Sequence, residues 1–305
     1  MTKDEILKKS IQKIKNNRAI NIMESQNYKQ SCYDIKEILD LSNKLGNIKI
    51  EIAKAENEGL TTFDLILQKK ELLKKFLVKL KENGKDVNKI LPDFDCKICN
   101  DEGFLIDGEM CECLKKEFHK NLMEETGLDL KNYPTLENMN LNKYENKEEI
   151  KVIQKSLLNL DKTNYNTILF SGATGTGKTY ISKCFVKSLC EKEILTRFYS
   201  SSEINKIFCL AHFNINNLDA ILFDILDCEV LIIDDLGAEA KYKNITKEYF
   251  LNLLNERQTK NKITLITTNL TLNDIGEIYT ERFLSRVLDK EIALKYNFQG
   301  KDLRI

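Results

Sequence analysis

The eight residues from Gly172 to Thr179 read Gly-Ala-Thr-Gly-Thr-Gly-Lys-Thr. Glycine tolerates backbone angles that other residues avoid, so the amides of Gly172, Ala173, Thr174, Gly175, Thr176 and Gly177 can turn inward at the N-terminus of a following helix and surround phosphates. Lys178 is placed to neutralise the outer phosphates, and the Thr179 hydroxyl to hold magnesium. With the adjoining Tyr180 these are the candidate nucleotide contacts. Thr167 to Ser171 before the loop reads as a strand and Ile181 to Cys190 after it as a helix, the setting such a loop requires. The expected ligand is ATP with Mg2+.

A second apolar run, Val230 to Ile233, ends in Asp234-Asp235 and puts two carboxylates at the C-terminal edge of a buried strand, where open parallel sheets bind ligands. Asp234 is suited to the magnesium shell and Asp235 to polarising an attacking water. The alternative is that the two acids cap the next element. A third strand ends in Thr267-Thr268-Asn269, so that Asn269 can orient water against a terminal phosphate. Thr-Asn is also ordinary strand-end chemistry. Glu281-Arg282 and Ser285-Arg286 set two arginines four apart on one face of a helix. An arginine given across a subunit boundary stabilises charge in phosphoryl transfer; a solvated, ion-paired helix face is the other reading of Arg282 and Arg286.

Four cysteines follow metal-ligand spacing: Cys96 and Cys99, then Cys111 and Cys113, with Gly103 and Gly108 between the pairs. Four thiolates satisfy tetrahedral zinc, and the glycines let the chain turn back. A redox pair or free thiols are the competing readings, with His119 as a substitute ligand. Cys184, Cys190, Cys209 and Cys228 stand among apolar residues and are expected in the core.

The elements that carry these residues differ along the chain. Thr2 and Glu5 form a capping box ahead of Leu7, Ile11 and Ile14 at helical spacing, which predicts a short amphipathic helix. The pattern repeats from Ile35 and again through Leu73, Phe76, Leu77 and Leu80, until Asn83-Gly84 ends it. Residues 1 to about 90 are therefore expected to be helical, as a simple core seam or as a protein-docking arm. The only two prolines, Pro92 and Pro134, bracket the cysteine cluster and the polar stretch after it. From about residue 150 helices alternate with short apolar strands, including Ile263 to Ile266, the mark of a parallel sheet wrapped by helices.

The 305 residues carry 47 Lys plus Arg against 47 Asp plus Glu, so no bulk field draws the protein to nucleic acid or to a membrane surface. Contact with single-stranded DNA would need a local patch such as Lys241, Tyr242 and Lys243, which can also be a solvated loop. No stretch nears the ~20 apolar residues of a membrane helix, and no signal-peptide core precedes the helical segment. The expectation is a cytoplasmic protein with reduced thiols.

Taken in order, GATGTGKT at 172 to 179, VLIIDDLGAE at 230 to 239, TTN at 267 to 269, ERFLSR at 281 to 286 and FQGKDLR at 298 to 304 resemble the bacterial DnaC/DnaI-type replicative helicase loaders, which are AAA+ ATPases. The CxxC and CxC pairs followed by Leu114-Lys115-Lys116 resemble the zinc module of the DnaI branch. The resemblance implies that Lys178 and Thr179 are Walker A residues, Asp234 and Asp235 Walker B, Asn269 sensor 1, Arg282 the arginine finger and Arg286 an accessory arginine. Walker B ends here in Asp where the wider AAA+ pattern has Glu.

The resemblance also implies an α/β fold: an AAA+ P-loop αβα core with a parallel sheet and no C-terminal lid, preceded by a helical region and a small zinc module. The expected division is residues 1–95 for helicase docking, 96–118 for the zinc module, 119–150 as linker and 151–305 as the ATPase domain. The implied partners are the hexameric replicative DNA helicase, single-stranded DNA and further copies of the chain across ATP interfaces, and the implied work is ATP-dependent loading of that helicase. Two alternatives remain: an IstB-type transposition helper with a similar core, and a nucleotide-gated switch with little hydrolysis.

Overall fold

The computed structural model describes residues 1–213, 218–242 and 245–303. Lys243 and Arg304, singled out in the basic cluster and in the last motif, lie outside the described residues. The chain divides into two compact units, one of Met1–Lys8 with Lys116–Ile305 and the other of Lys9–Lys115.

Helix α1, Lys3–Tyr33, starts at the expected capping box: Thr2 N donates to Glu5 Oε2 at 2.8 Å and Glu5 N donates to Thr2 Oγ1 at 3.3 Å. It runs for 31 residues where a short helix was expected, because no glycine or proline interrupts it. Helices α2, Lys36–Asn57, and α3, Phe63–Glu82, pack around Cys32, Ile38, Leu45, Phe76 and Leu80. Helix α3 ends where Asn83-Gly84 predicts, with Gly84 left-handed at φ +66°. Helix α4 spans Glu112–Glu125 and α5 Lys147–Leu158.

The larger unit then builds β1 (Thr167–Gly172), α6 (Lys178–Glu191), β2 (Thr196–Ser200), α7 (Ser201–His212), α8 (Leu218–Asp227) and β3 (Val230–Leu236). It continues with α9 (Thr246–Thr259), β4 (Ile263–Thr268), α10 (Leu272–Tyr279), α11 (Glu281–Val287) and β5 (Ala293–Phe298). All strand pairs are parallel, in the order β2-β3-β4-β1-β5. Alternation along each strand sends Ile168, Phe170 and Ile232 to one face, under α5 and α6, and Leu169, Leu231 and Ile233 to the other, under α7 to α11. Both faces are covered, which is why these strands read as continuous apolar runs. Among the cysteines expected in the core, Cys184, Cys190 and Cys228 are buried and Cys209 half-buried.

Residues 119–150 do not form the expected linker. Leu122, Leu130, Leu136, Met139, Tyr144 and Ile150 are buried in the core on the α6 side, and Ser188 Oγ on α6 accepts from Leu136 N at 2.7 Å. An apolar segment with its backbone so paired is packed structure, not a tether. Two strands also lack a sequence signal of the expected kind. β2 places a buried Arg197 on the sheet edge, where Glu125 at 3.0 Å and Asp224 at 3.1 Å offset its charge. β5 is the other edge strand and carries Lys295 and Asn297 among its apolar residues.

Candidate nucleotide site

β1 ends at Gly172 and α6 begins at Lys178, so the intervening loop lies at the C-terminal edge of the sheet and at a helix N-terminus, where amides and helix dipole both favour anions. Two glycines are obligatory there. Gly172 has φ +137°, and a Cβ on it would lie 2.2 Å from Phe298 O; Gly177 has φ +94°, and a Cβ would lie 2.7 Å from the Tyr144 ring. The loop is braced from within by Thr176 Oγ1, which donates to Ala173 O at 2.8 Å.

Lys178 is buried and donates from Nζ to Gly172 O and Ala173 O, each at 2.7 Å, and to Asn269 Oδ1 at 2.8 Å. Its charge is thus held inside the loop in reach of any phosphate seated there. Thr179 Oγ1 donates to Asp234 Oδ1 at 2.9 Å, and Thr267 Oγ1 donates to the same oxygen at 2.7 Å. The register of β3 against β4 shifts between Ile233 and Leu236, so the two acids sit in a bulge that aims their side chains along the sheet edge. Asp235 has φ +60°, uncommon for a residue with a Cβ. Three bonds hold it: its N donates to Thr267 Oγ1 at 2.9 Å, its O accepts from Ser201 Oγ at 2.7 Å, and its Oδ1 accepts from Asn269 Nδ2 at 2.9 Å. The sequence-derived residues Lys178, Thr179, Asp234, Asp235 and Asn269 are therefore one hydrogen-bonded group.

These residues line a cavity of about 520 Å³ with Thr174, Gly175, Gly177, Tyr180 and Thr267. Thr179 and Asp234 offer adjacent hard oxygen donors, the set that suits magnesium. On the far side stand Tyr133, Lys143, Tyr144, Lys183 and Leu303. Tyr133 and Tyr180 have ring centroids 5.8 Å apart, with Lys183 5.2 Å from the first ring and Lys143 5.3 Å from the second. Burial pushes the Tyr180 phenol up to about 12. An aromatic wall beside ammonium groups suits a flat heteroaromatic base.

Arg282 and Arg286 lie on α11 as expected, but both are exposed and neither lines this cavity. Among the described residues no acid pairs with either guanidinium. Tyr242 and Lys241 are also exposed.

In the smaller unit the four thiols converge. Cys96 Sγ lies 3.7 Å from Cys111 Sγ, Cys99 Sγ lies 3.4 Å from Cys113 Sγ, and all four sulfurs are within 4.8 Å of one another. Tetrahedral zinc with bonds of about 2.3 Å needs sulfurs roughly 3.8 Å apart. The four thiols can hold a metal, and His119, whose Nε2 faces Glu193 at 3.6 Å, is not one of the group. Buried Asp101 fixes the first pair by accepting from Cys96 N at 2.7 Å and Asp95 N at 2.9 Å. The Cys99 backbone holds the Cys96 thiol down at about 7.

The model of the family described as IstB-like ATP binding protein matches residues 103–293, more than half of the chain. The chain belongs to that family. This IstB-like chain is 29% identical over 136 residues to the chromosomal replication initiator protein DnaA of Streptococcus mutans, and 28% identical over 125 residues to that of Helicobacter acinonychis. The first match takes in 43% of the chain and 29% of the relative, the second 41% and 27%, so the chain spans less than a third of the curated relatives' length. Among solved structures, the crystal structure of DnaI is matched at 20% identity and TM-score 0.45, over 57% of this chain and 92% of that one. The crystal structure of the DnaC helicase loader is matched at 20% identity and TM-score 0.44, over 56% and 98%. The family match contains the whole nucleotide group, but it starts between the cysteine pairs and leaves Cys96 and Cys99 outside.

In the IstB-like core, sequence reasoning missed Thr267 and the wall of Tyr133, Lys143, Tyr144, Lys183 and Leu303. Thr267 had a signal, since its place in Thr-Thr-Asn puts its hydroxyl one register step from the bulge that holds Asp234 and Asp235. Apart from Leu303, which lies in the quoted FQGKDLR motif, the wall residues had none, because they come from segments joined only by folding.

Proposed function

We propose that the chain is an ATP-hydrolysing loader that places the hexameric replicative helicase on single-stranded DNA. The observation that carries the reading is the union of a hydrogen-bonded Walker group with a separate unit of helices and four thiols, which exposes Leu60, Phe63 and Leu67 at the α2–α3 corner. Exposed apolar side chains of this kind on a helical hairpin suit docking to another protein.

In this reading the loop amides and Lys178 bind the triphosphate, and the Tyr133–Tyr180 wall takes the base. Thr179 and Asp234 would hold magnesium, which would supply charge neutralisation for the phosphates. Asp235 accepts a proton from the attacking water, which Asn269 orients. Arg282 is exposed and does not line its own cavity, which favours action on the nucleotide of a neighbouring copy. Cys96, Cys99, Cys111 and Cys113 would hold zinc, which would order a segment too short to bury a core of its own. No helix among the described residues is long and apolar enough to cross a membrane.

The family's description keeps a second reading, a transposition helper. Co-purification of the full chain with its partners, in ATP and in ADP, separates the two. Recovery of the replicative helicase supports loading, and recovery of a transposase in its place overturns it. Turnover that stays undetectable with helicase and single-stranded DNA present would leave a switch.

A further inference from the structure

Two buried polar side chains take no part in the nucleotide group. Glu239 is 4% exposed and Tyr279 is 0% exposed. The Tyr279 hydroxyl donates to Glu239 Oε1, while Glu239 Oε2 accepts from Gly237 N at 2.9 Å. Glu239 thus clasps the turn that leaves Asp235 through Leu236 and Gly237. Gly237 is itself pressed against the segment after Asn269: it has φ +108°, and a Cβ on it would lie 2.7 Å from Leu270.

Tyr279 is the last residue of α10, and the chain turns directly into α11, which bears Arg282. The turn is Thr280, at φ +137° and ψ +155°, a conformation that a β-branched residue adopts only where its surroundings impose it. The Tyr279 ring lies against Phe250 of α9 at 5.8 Å and Phe283 of α11 at 5.1 Å, which ties the end of α10 to both helices. Thr280 Oγ1 accepts from Phe283 N at 3.2 Å and fixes the first turn of α11. Glu281 closes the corner: its Oε1 lies 3.1 Å from where a Cβ on Gly276 would stand. The path runs from Asp235 at one end to Arg282 at the other, and Leu236, Glu239 and Tyr279 on it are buried while Gly237 and Thr280 hold positive φ angles.

We propose that Glu239 and Tyr279 are a positioning pair that sets where Arg282 is presented, so that the Walker B turn of one subunit governs the arginine that subunit offers to the next. Neither side chain lines the nucleotide cavity. The inference rests on the reading of Arg282 as acting in trans.

The test is a set of full-length variants assayed for ATP turnover and ATP affinity. Tyr279→Phe removes one hydroxyl and keeps the ring in its place. Its turnover should fall about tenfold or more, as expected for a misplaced catalytic group, with the Kd for ATP close to wild type and the protein still folded at the assay temperature, although the buried Glu239 oxygen left without its donor lowers the thermal midpoint. Mixing it with Lys178→Ala protein, whose own site is inactive but whose arginine is correctly held, should restore turnover at mixed interfaces. Glu239→Gln keeps an acceptor for the Tyr279 hydroxyl and should be milder than Glu239→Ala. Wild-type turnover in Tyr279→Phe overturns the proposal. So does slow turnover that Lys178→Ala protein does not restore, since the defect then lies in the subunit's own site. Arg282→Ala provides the separate control: if it hydrolyses as fast as wild type, the reading of the arginine itself fails, whatever Tyr279→Phe does.

Discussion

The Asn269 side-chain nitrogen lies 2.9 Å from Asp235 Oδ1, so the amide at the end of β4 holds the second acid of β3 from the side. An Asn at 235 would still accept from Asn269 through its own carbonyl oxygen, and the pair would keep its arrangement while losing a proton acceptor. Asp235→Asn should therefore leave the Kd for ATP near wild type and lower turnover by about 10²-fold or more, the usual contribution of a general base. Nucleotide titration beside steady-state hydrolysis checks both halves. Equal losses in each would make Asp235 a structural acid.

Lys178→Ala should cost about 1.5 to 3 kcal/mol of triphosphate binding, or roughly 10- to 150-fold in Kd. The fold should survive, since Lys178 itself lines the cavity and water can replace its ammonium group beside the Gly172 and Ala173 carbonyls. A fluorescent ATP analogue bound with wild-type affinity would refute the role given to the ammonium group.

The thiol group predicts a metal dependence confined to the smaller unit. Cys96→Ser with Cys99→Ser should abolish bound zinc, whose sites supply roughly 10 to 16 kcal/mol of apparent free energy, and should weaken partner binding while sparing ATP affinity. Elemental analysis of protein purified in reductant without chelator is decisive. Finding no zinc in the wild-type protein removes the site.

A stability prediction attaches to Arg257, fully buried on α9. Its guanidinium donates to Ile225 O at 2.7 Å, Cys228 O at 3.0 Å, Ile263 O at 2.6 Å and Thr264 Oγ1 at 3.0 Å, and burial lowers its pKa. Arg257→Met would fill much of the volume but leave buried acceptors without a donor. A loss of about 3 kcal/mol or more is expected in urea unfolding. A change below the usual half kilocalorie of surface substitutions would show that the carbonyls find other partners.

How much of this was legible in the sequence depends on what each residue had to signal. Strands β1, β3 and β4 announced themselves because both faces are buried and each carries a run of mostly apolar residues. β2 did not, because Arg197 sits in it and the Glu125 and Asp224 that compensate its charge come from distant segments. The loop, both acids and Asn269 were readable because backbone geometry fixes their spacing. The Tyr133 and Tyr144 wall was not, since Leu130, Leu136 and Met139 around it follow neither helical nor strand period, and such a stretch reads as a tether. Glu239 was visible only as the last letter of a quoted motif; its partner Tyr279 is 40 residues away and only the fold brings them together.

The larger unit is discontinuous in sequence. Ile6, 0% exposed, belongs to the same core as Phe118, Leu122 and Ile168, yet residues 9–115 between them form another body. In covalent terms the smaller unit is an insertion, entered and left through one host. A fragment cut to begin at residue 116 would therefore lack a side chain that its own interior is shaped around, and would meet water where Ile6 had been. Biophysical work on an isolated nucleotide-binding fragment would then describe a molecule with a hole in it, and the short strand of chain before residue 9, supplied as a separate peptide, should bind that fragment and raise its unfolding temperature.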